Sequence, residues 1–312
     1  MKAVGIMKHG GPEALEILEV DEVEAGPGQI RIRNFAAAVN PVDVSVRNGS
    51  MAEMQKINPP PYVPGMDAAG IIDQIGKGVQ TDLKEGDSVM AMVVPNGNHG
   101  AYREQIVLDQ NAVVRAPKDS SHIQASTLPM NSLTARLSLD LLDLQKGQVL
   151  AVTGAPGAYG GYVVQLAKED GLIVIADSND NDRALLESLG VDIIIPRGEG
   201  FAENIRKEFP EGVDGIADGA LLNEQAIAAV KDGGSFTSVR GFKGEPQRDI
   251  NFTATWVTAY DCKKDILEKL KLQAEEEIIS LRVNQAVSMD KASLAHETLE
   301  AGGSRGRMVI EF

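Results

Sequence analysis

The sequence predicts an α/β protein of two domains, a β-rich first part followed by a doubly wound parallel sheet. Three observations carry that prediction. At 312 residues the chain exceeds the comfortable size of one hydrophobic core. As far as about Pro117 it consists of short alternating or apolar runs cut by glycine and proline, the texture of a mostly antiparallel, barrel-like domain. Beyond that residue, strand-like and helix-like segments alternate, and such alternation requires a parallel sheet covered on both faces.

The first part reads as strands over Ala14–Val20, Gln29–Phe35, Ala68–Ile75, Ser88–Val94, Gln105–Leu108 and Ala112–Val114. Helical spacing then appears at Ser121–Leu128 and Leu133–Leu144. The alternating series follows: strand Gln148–Thr153, helix Gly161–Glu169, strand Leu172–Ala176, helix Asp182–Leu189, strand Ile193–Ile195 and helix Phe201–Glu208. Gly215–Asp218, Asn223–Val230 and Ser235–Val239 continue it as strand, helix and strand. Lys263–Glu277 reads as a charged helix, and the last segment returns to short strands with a helix near Asp290–Leu299.

Composition narrows the partners. Thirty basic against forty-five acidic side chains leave a formal charge of -15, which repels nucleic-acid phosphates and anionic membrane surfaces. A single cysteine, Cys262, allows neither an internal disulfide nor a thiolate zinc cluster. No apolar run approaches a membrane span and Met1–Gly10 lacks an apolar signal core, so the expected compartment is the cytoplasm.

The stretch "TGAPGAYGG", Thr153–Gly161, follows the apolar strand "GQVLAVT" and precedes the helix "YVVQLAKEDG". In that context Gly154, Gly157 and Gly160, with Ala158 and Tyr159 between them, let backbone N–H groups and a helix N-terminus approach a pyrophosphate, as a Rossmann unit requires. The next strand, "LIVIAD", ends in Asp177 with Ser178 beside it. A carboxylate there accepts hydrogen bonds from the adenosine ribose and repels a 2'-phosphate, favouring NADH over NADPH. A turn or helix-cap role within "DSNDND" remains open for Asp177. Arg183 is the cation available for a 2'-phosphate, although Asp177, Asp180, Asp182 and Glu187 surround it in sequence.

Taken with "AAAVNPVDVSVRNG" (36–49), "VPGMDAAGIIDQIGKGV" (63–79), "GDSVMA" (86–91), "GAYREQIV" (100–107), "LPMNSLTAR" (128–136), "SLGVD" (188–192) and "GGSRGRMVI" (302–310), the chain resembles the medium-chain dehydrogenase/reductase superfamily. Within it the likeness is to the zinc-free quinone oxidoreductase, or zeta-crystallin-like, branch. The resemblance implies a GroES-like catalytic domain over 1–118, a Rossmann domain over 119–255, a C-terminal return to the catalytic domain over 256–312, and an active site in the cleft between them. A homodimer formed along the sheet edge near Asp249–Ala259 is also implied.

Where zinc-dependent relatives carry a cysteine ligand this chain has Asn40, and where they carry His-Glu it has Met66 and Asp67. That donor set supplies neither thiolate nor imidazole, so no metal is expected. By resemblance, Asn40, Asp43 and Arg47 line the substrate cleft, where donors must meet charge developing on a carbonyl oxygen. Ser45 stands where relatives often have tyrosine. Thr134 matches a threonine beside the nicotinamide, Arg307 is expected near the cofactor phosphates, and Arg240 with Gly241, after "SFTSV" where relatives usually carry an apolar residue, is open to two readings, a cofactor contact or a solvated arginine.

The implied function is an NAD(P)H-dependent reductase of quinones or α,β-unsaturated carbonyls, small-molecule substrates reduced without zinc, the resemblance favouring NADPH where Asp177 favours NADH. The alternative is a non-catalytic NAD(P)H-binding protein with a redox-sensing or structural role, since fold alone does not establish turnover. Tyr102 is expected to pack rather than react, and His296 to be structural. The "GGSRG" run at 302–306 has no histidine after Ser304 to complete a hydrolase triad.

Overall fold

The computed structural model describes residues 1–55, 58–198 and 200–312, with nothing to be said of the side chains of Met54 and Gln55. In chain order the first elements are β1 (Lys2–Gly5), β2 (Glu16–Glu19), β3 (Gln29–Ala38), α1 (Pro41–Asn48), α2 (Ala52–Gln55), β4 (Asp67–Ile75), β5 (Ser88–Met92), β6 (Gln105–Asp109), β7 (Val113–Arg115), α3 (His122–Ala125) and α4 (Pro129–Leu142). The alternating series is β8 (Val149–Thr153), α5 (Ala158–Glu169), β9 (Ile173–Ser178), α6 (Arg183–Leu189), β10 (Ile193–Pro196), α7 (Phe201–Glu208), β11 (Val213–Asp218), α8 (Glu224–Ile227), β12 (Val230–Val239) and β13 (Asn251–Thr255). The chain closes with α9 (Lys264–Glu275), β14 (Val283–Ser288), α10 (Ala292–Ala301) and β15 (Arg307–Glu311).

Two compact units result. One comprises Met1–Met130, Tyr260–Glu276 and Leu281–Phe312, and the other Asn131–Ala259 with Glu277–Ser280. The fold is thus the two-domain α/β arrangement expected, a GroES-like unit and a Rossmann-like unit.

In the first unit a seven-stranded sheet runs β14-β15-β3-β4-β5-β7, with β6 pairing β3, and β1-β2 form a separate ribbon. Its pairings are antiparallel except β14 with β15. Strand β3 alternates buried Ile30 and Ile32 with exposed or half-buried Arg31 and Arg33, so one face points into a core shared with Ile72, Val89, Ile106, Val113 and Ile310.

The second unit holds a parallel sheet in the order β10-β9-β8-β11-β12-β13. Every residue of β8 is buried, as expected of a strand covered on both faces. The chain moves outward from β8 to β9 and β10 and then resumes on the other side at β11, which places a topological switch point between β8 and β11. Open α/β sheets bind their ligands at the carboxyl ends of the strands flanking such a point.

Differences from the sequence reading have local causes. Helix α5 starts at Ala158 rather than Gly161, because two glycines in its first turn are tolerated where the helix abuts the preceding loop. Helix α1 was not anticipated, although its start is written in the sequence: Asn40 caps, Pro41 fills the first position and Asp43 closes a capping box. Helix α8 is shorter than Asn223–Val230 because Val230 already belongs to β12. Strand β1 is absent from that reading, and β13 is the sheet edge that the resemblance places near Asp249–Ala259.

Candidate active site: a glycine cradle and a buried acid–amide network

In the second unit β8 delivers Thr153 to the switch point, and the loop Gly154–Pro156 turns the chain into α5. Gly154 has φ of 67°, the left-handed region that glycine enters without strain. A side chain at Gly160 is excluded more strongly, since its Cβ would lie 2.4 Å from the Gly154 carbonyl oxygen and 2.7 Å from Ala155 Cα. The helix therefore closes directly on the loop, with glycine as its N-cap residue. The N-terminus of a twelve-residue helix supplies the partial positive charge and N–H groups that a pyrophosphate requires.

Around this cradle the strand ends carry hydroxyls and one buried acid. Thr153 Oγ1 donates to Asp218 Oδ1 at 2.5 Å, and the same carboxylate receives the backbone N–H groups of Leu222 and Asn223 at 3.1 and 2.8 Å. The Tyr159 hydroxyl lies 2.7 Å from Ser138 Oγ, which is itself 3.0 Å from Thr255 Oγ1 and donates to the Thr134 carbonyl. Burial pushes the Tyr159 phenol well above its ordinary value, so it stays protonated. Asp218, Ser138 and Thr255 escaped the sequence reading. For Asp218 the signal was present, an acid closing an apolar strand just as Asp177 does.

At the end of β9, Asp177 is buried, and its Oδ2 accepts from Arg197 Nε at 2.9 Å. Its Oδ1 is buried with no hydrogen-bond partner among the described residues. A buried carboxylate oxygen without a donor is costly unless something supplies one, and a ribose hydroxyl is such a donor. The orphaned oxygen and the side-chain-free cradle together fit a dinucleotide. Ser178 Oγ bonds the Asn179 carbonyl, and Arg183 pairs with Glu187 on an exposed helix face. Arg240 is exposed with φ of 63°, and Gly241 lies beneath the Trp256 ring.

In the first unit Asn40, Asp43 and Arg47 come together at α1, all buried. Asp43 accepts three hydrogen bonds: Asn40 N–H at 2.8 Å, Gly65 N–H at 3.0 Å and the Tyr102 hydroxyl at 3.1 Å. Asn40 Nδ2 donates to Asp67 Oδ2 at 2.7 Å and to the Ala38 carbonyl at 3.3 Å. Asp67 Oδ1 receives Met130 N–H at 2.7 Å.

Arg47 is not the partner of Asp43. Its guanidinium grips Glu300 on α10 in two parallel bonds of 3.0 and 2.8 Å. Its Nη1 also stands 3.5 Å from His296 Nδ1, while His296 Nε2 lies 3.2 Å from the Tyr102 hydroxyl. Because that hydroxyl donates to Asp43, the chain of donors runs from Arg47 through His296 and Tyr102 to Asp43, which fixes His296 as the Nε2–H tautomer. The sequence reading gave Tyr102 and His296 packing and structural places, and the structure adds their hydrogen-bonded link to Asp43.

Burial raises Asp43 to about 6, against its N–H and hydroxyl donors, and raises Asp67 to about 7. Burial, with the nearby Arg47 cation, pushes His296 down to about 3. Arg307, expected near cofactor phosphates, is a buried residue of this first unit, and its charge acts on Asp43 and Asp67. Among the described residues, no group of three or more His, Cys, Asp or Glu could hold a metal ion. No helix among them is long and apolar enough to cross a membrane.

A β-rich unit with a buried acid–amide network, joined in one chain to a parallel sheet with a glycine loop at its switch point, is the two-domain architecture of an oxidoreductase. Comparison with known proteins agrees. Residues 26–118 match the alcohol dehydrogenase GroES-like domain, and residues 189–310 match a family described as zinc-binding dehydrogenase. The 2-methylene-furan-3-one reductase of Solanum lycopersicum is 29% identical over 99% of this chain and 79% of its own length. The NADPH-dependent alkenal/one oxidoreductase of Arabidopsis thaliana chloroplasts is 28% identical over the same shares. The quinone oxidoreductase structure from Coxiella burnetii superposes with a TM-score of 0.89 at 26% identity, covering 100% of this chain and 99% of that one. This chain belongs to the medium-chain dehydrogenase/reductase superfamily, and it is an oxidoreductase.

Proposed function

We propose that the protein is a zinc-independent, NAD(P)H-dependent reductase of quinones or α,β-unsaturated carbonyls, with NADH favoured. The observation that carries the reading is the glycine cradle at β8–α5 with the buried Oδ1 of Asp177, without a hydrogen-bond partner among the described residues, one strand away. Relatives named for furanone, alkenal and quinone substrates support the substrate class. A bound nicotinamide supplies the hydride for the electron-poor carbon of such a substrate, and solvent supplies the proton.

The rest falls to the chain's own groups. The cradle and α5 hold the pyrophosphate, Asp177 accepts from the ribose, and Ser138, one turn beyond Thr134 on α4, ties Tyr159 to Thr255 of β13. Zinc independence is supported by the donor set: an amide at Asn40, a thioether at Met66 and a carboxylate at Asp67 are a poor tetrahedral site beside thiolate and imidazole. Charge gathering on the substrate oxygen then needs hydrogen-bond donors. Asn40 and Arg47 carry donors of the right kind, and each must exchange a present partner for the substrate. Arg47 would surrender a bidentate bond to a carboxylate, whereas Asn40 Nδ2 would redirect its bonds to one oxygen of Asp67 and to the Ala38 carbonyl, so the amide is the donor that is exchanged at the lower cost.

The test is steady oxidation of NADH or NADPH by an ortho-quinone and by a simple enone, before and after prolonged chelation. Turnover unchanged by chelation is the expected result. Loss of turnover on chelation, restored by zinc, contradicts zinc independence, and absence of turnover with either acceptor contradicts the substrate class.

A further inference from the structure

We infer that Arg197 sets the choice between NADH and NADPH: held by Asp177, it aims the acid at the ribose, and released from it, it becomes a phosphate ligand. The inference deepens the proposed function and rests on its placing of the adenosine ribose at the end of β9. The cation nearest to Asp177 in sequence on the following helix, Arg183, meets Glu187 at 3.5 Å on an exposed helix face, both side chains being more than half exposed.

Arg197 is placed by backbone geometry before its side chain enters. It follows β10, whose register sets Ile195 beside Asp177 and Pro196 beside Ser178, and its own N–H donates to the Ser178 carbonyl at 2.9 Å. The side chain therefore starts next to the acid. Nε bonds Asp177 Oδ2 at 2.9 Å, and Nη1 lies 3.9 Å from Asp182 Oδ2. Both carboxylates are nearly buried, while the arginine side chain is 38% exposed.

Two consequences follow from this arrangement. The Nε bond fixes one oxygen of Asp177, so the carboxylate is oriented and only Oδ1 remains to accept a hydroxyl. One cation between two buried carboxylates also leaves the cluster net negative, so a 2'-phosphate entering there meets an acid already paired with the arginine that it needs. The ion pair thus favours a ribose 2'-hydroxyl. Removing the acid reverses this logic. The guanidinium, 38% exposed and anchored at its backbone, then keeps the 3.9 Å contact of Nη1 with Asp182 and can turn its Nε edge to phosphate oxygens.

The experiment measures dissociation constants of NADH and NADPH by nicotinamide fluorescence for the wild type, Asp177→Ser, Arg197→Gln and the double variant. The wild type is expected to bind NADH at least about tenfold more tightly, the scale of one charge-assisted hydrogen bond. Asp177→Ser is expected to tighten NADPH by a similar factor, and the double variant to lose that gain. Arg197→Gln alone should weaken NADH by several fold because Asp177 is no longer oriented. That variant leaves buried carboxylates without a cation, so the double variant, which removes the paired acid as well, keeps the test decisive if the single one misfolds. An NADPH gain that survives in the double variant overturns the role of Arg197 while leaving dinucleotide binding intact. A wild type that binds neither cofactor overturns the underlying reading together with it.

Discussion

Asp67 carries the sharpest expectation for a single residue. Its carboxyl is raised to about 7 from an ordinary value near 3.8, so the folded protein holds a proton there that the unfolded chain releases. The stability this contributes is fully present below about pH 4 and is lost as pH rises through about 7. Asp43, raised to about 6, acts in the same direction. His296, depressed to about 3 from 6.5, acts in the opposite one, its contribution being present above pH 6.5 and lost as pH falls toward 3. The wild-type curve therefore mixes opposing slopes, and the difference between variants is the cleaner quantity. Asp67→Asn should be less stable than wild type at pH 4, because an amide cannot accept from both Asn40 and Met130. The gap should close by on the order of 1–3 kcal/mol between pH 4 and pH 8, measured by denaturant unfolding at each pH. A gap that does not change with pH means that Asp67 is ionised throughout.

The loop joining β8 to α5 is the element on which dinucleotide binding depends. Gly160→Ala places a Cβ against backbone of Gly154 and Ala155, whereas at Gly157 the nearest atom is the Gly154 oxygen at 3.1 Å. Overpacking against backbone costs about 1–3 kcal/mol. Gly160→Ala should therefore weaken cofactor binding and lower the melting temperature clearly more than Gly157→Ala, and equal effects would mean that the loop yields freely. This element was legible in the sequence because strand, glycines and helix sit in unbroken order. Helix α1 was less legible: its capping residues Asn40, Pro41 and Asp43 were noticed for the chemistry they resemble, and their local structural meaning was passed over. The acid–amide network was invisible, because Tyr102, His296 and Glu300 lie far from Asp43 and Arg47 along the chain and meet only through tertiary packing. Arg197 was missed for a similar reason, since a register between neighbouring strands, which no sequence spacing displays, brings it to Asp177.

At the scale of the molecule, alternation of strand and helix was enough to place the parallel sheet, and glycine- and proline-broken short runs were enough to place the β-rich unit. The return of α9, β14, α10 and β15 to the first unit follows from family resemblance rather than from pattern, since no periodicity says which sheet a late strand joins. The proposed reaction passes hydride from a nicotinamide to an electron-poor carbon. It is tested most directly with cofactor deuterated at the transferable C4 position and an α,β-unsaturated ketone as acceptor, reading the saturated product by mass spectrometry and NMR. The expected product carries one deuterium per molecule, at the β-carbon, with the proton at the α-carbon drawn from solvent. Saturated product without cofactor-derived deuterium, or cofactor that binds and is never oxidised, would contradict the proposed reaction.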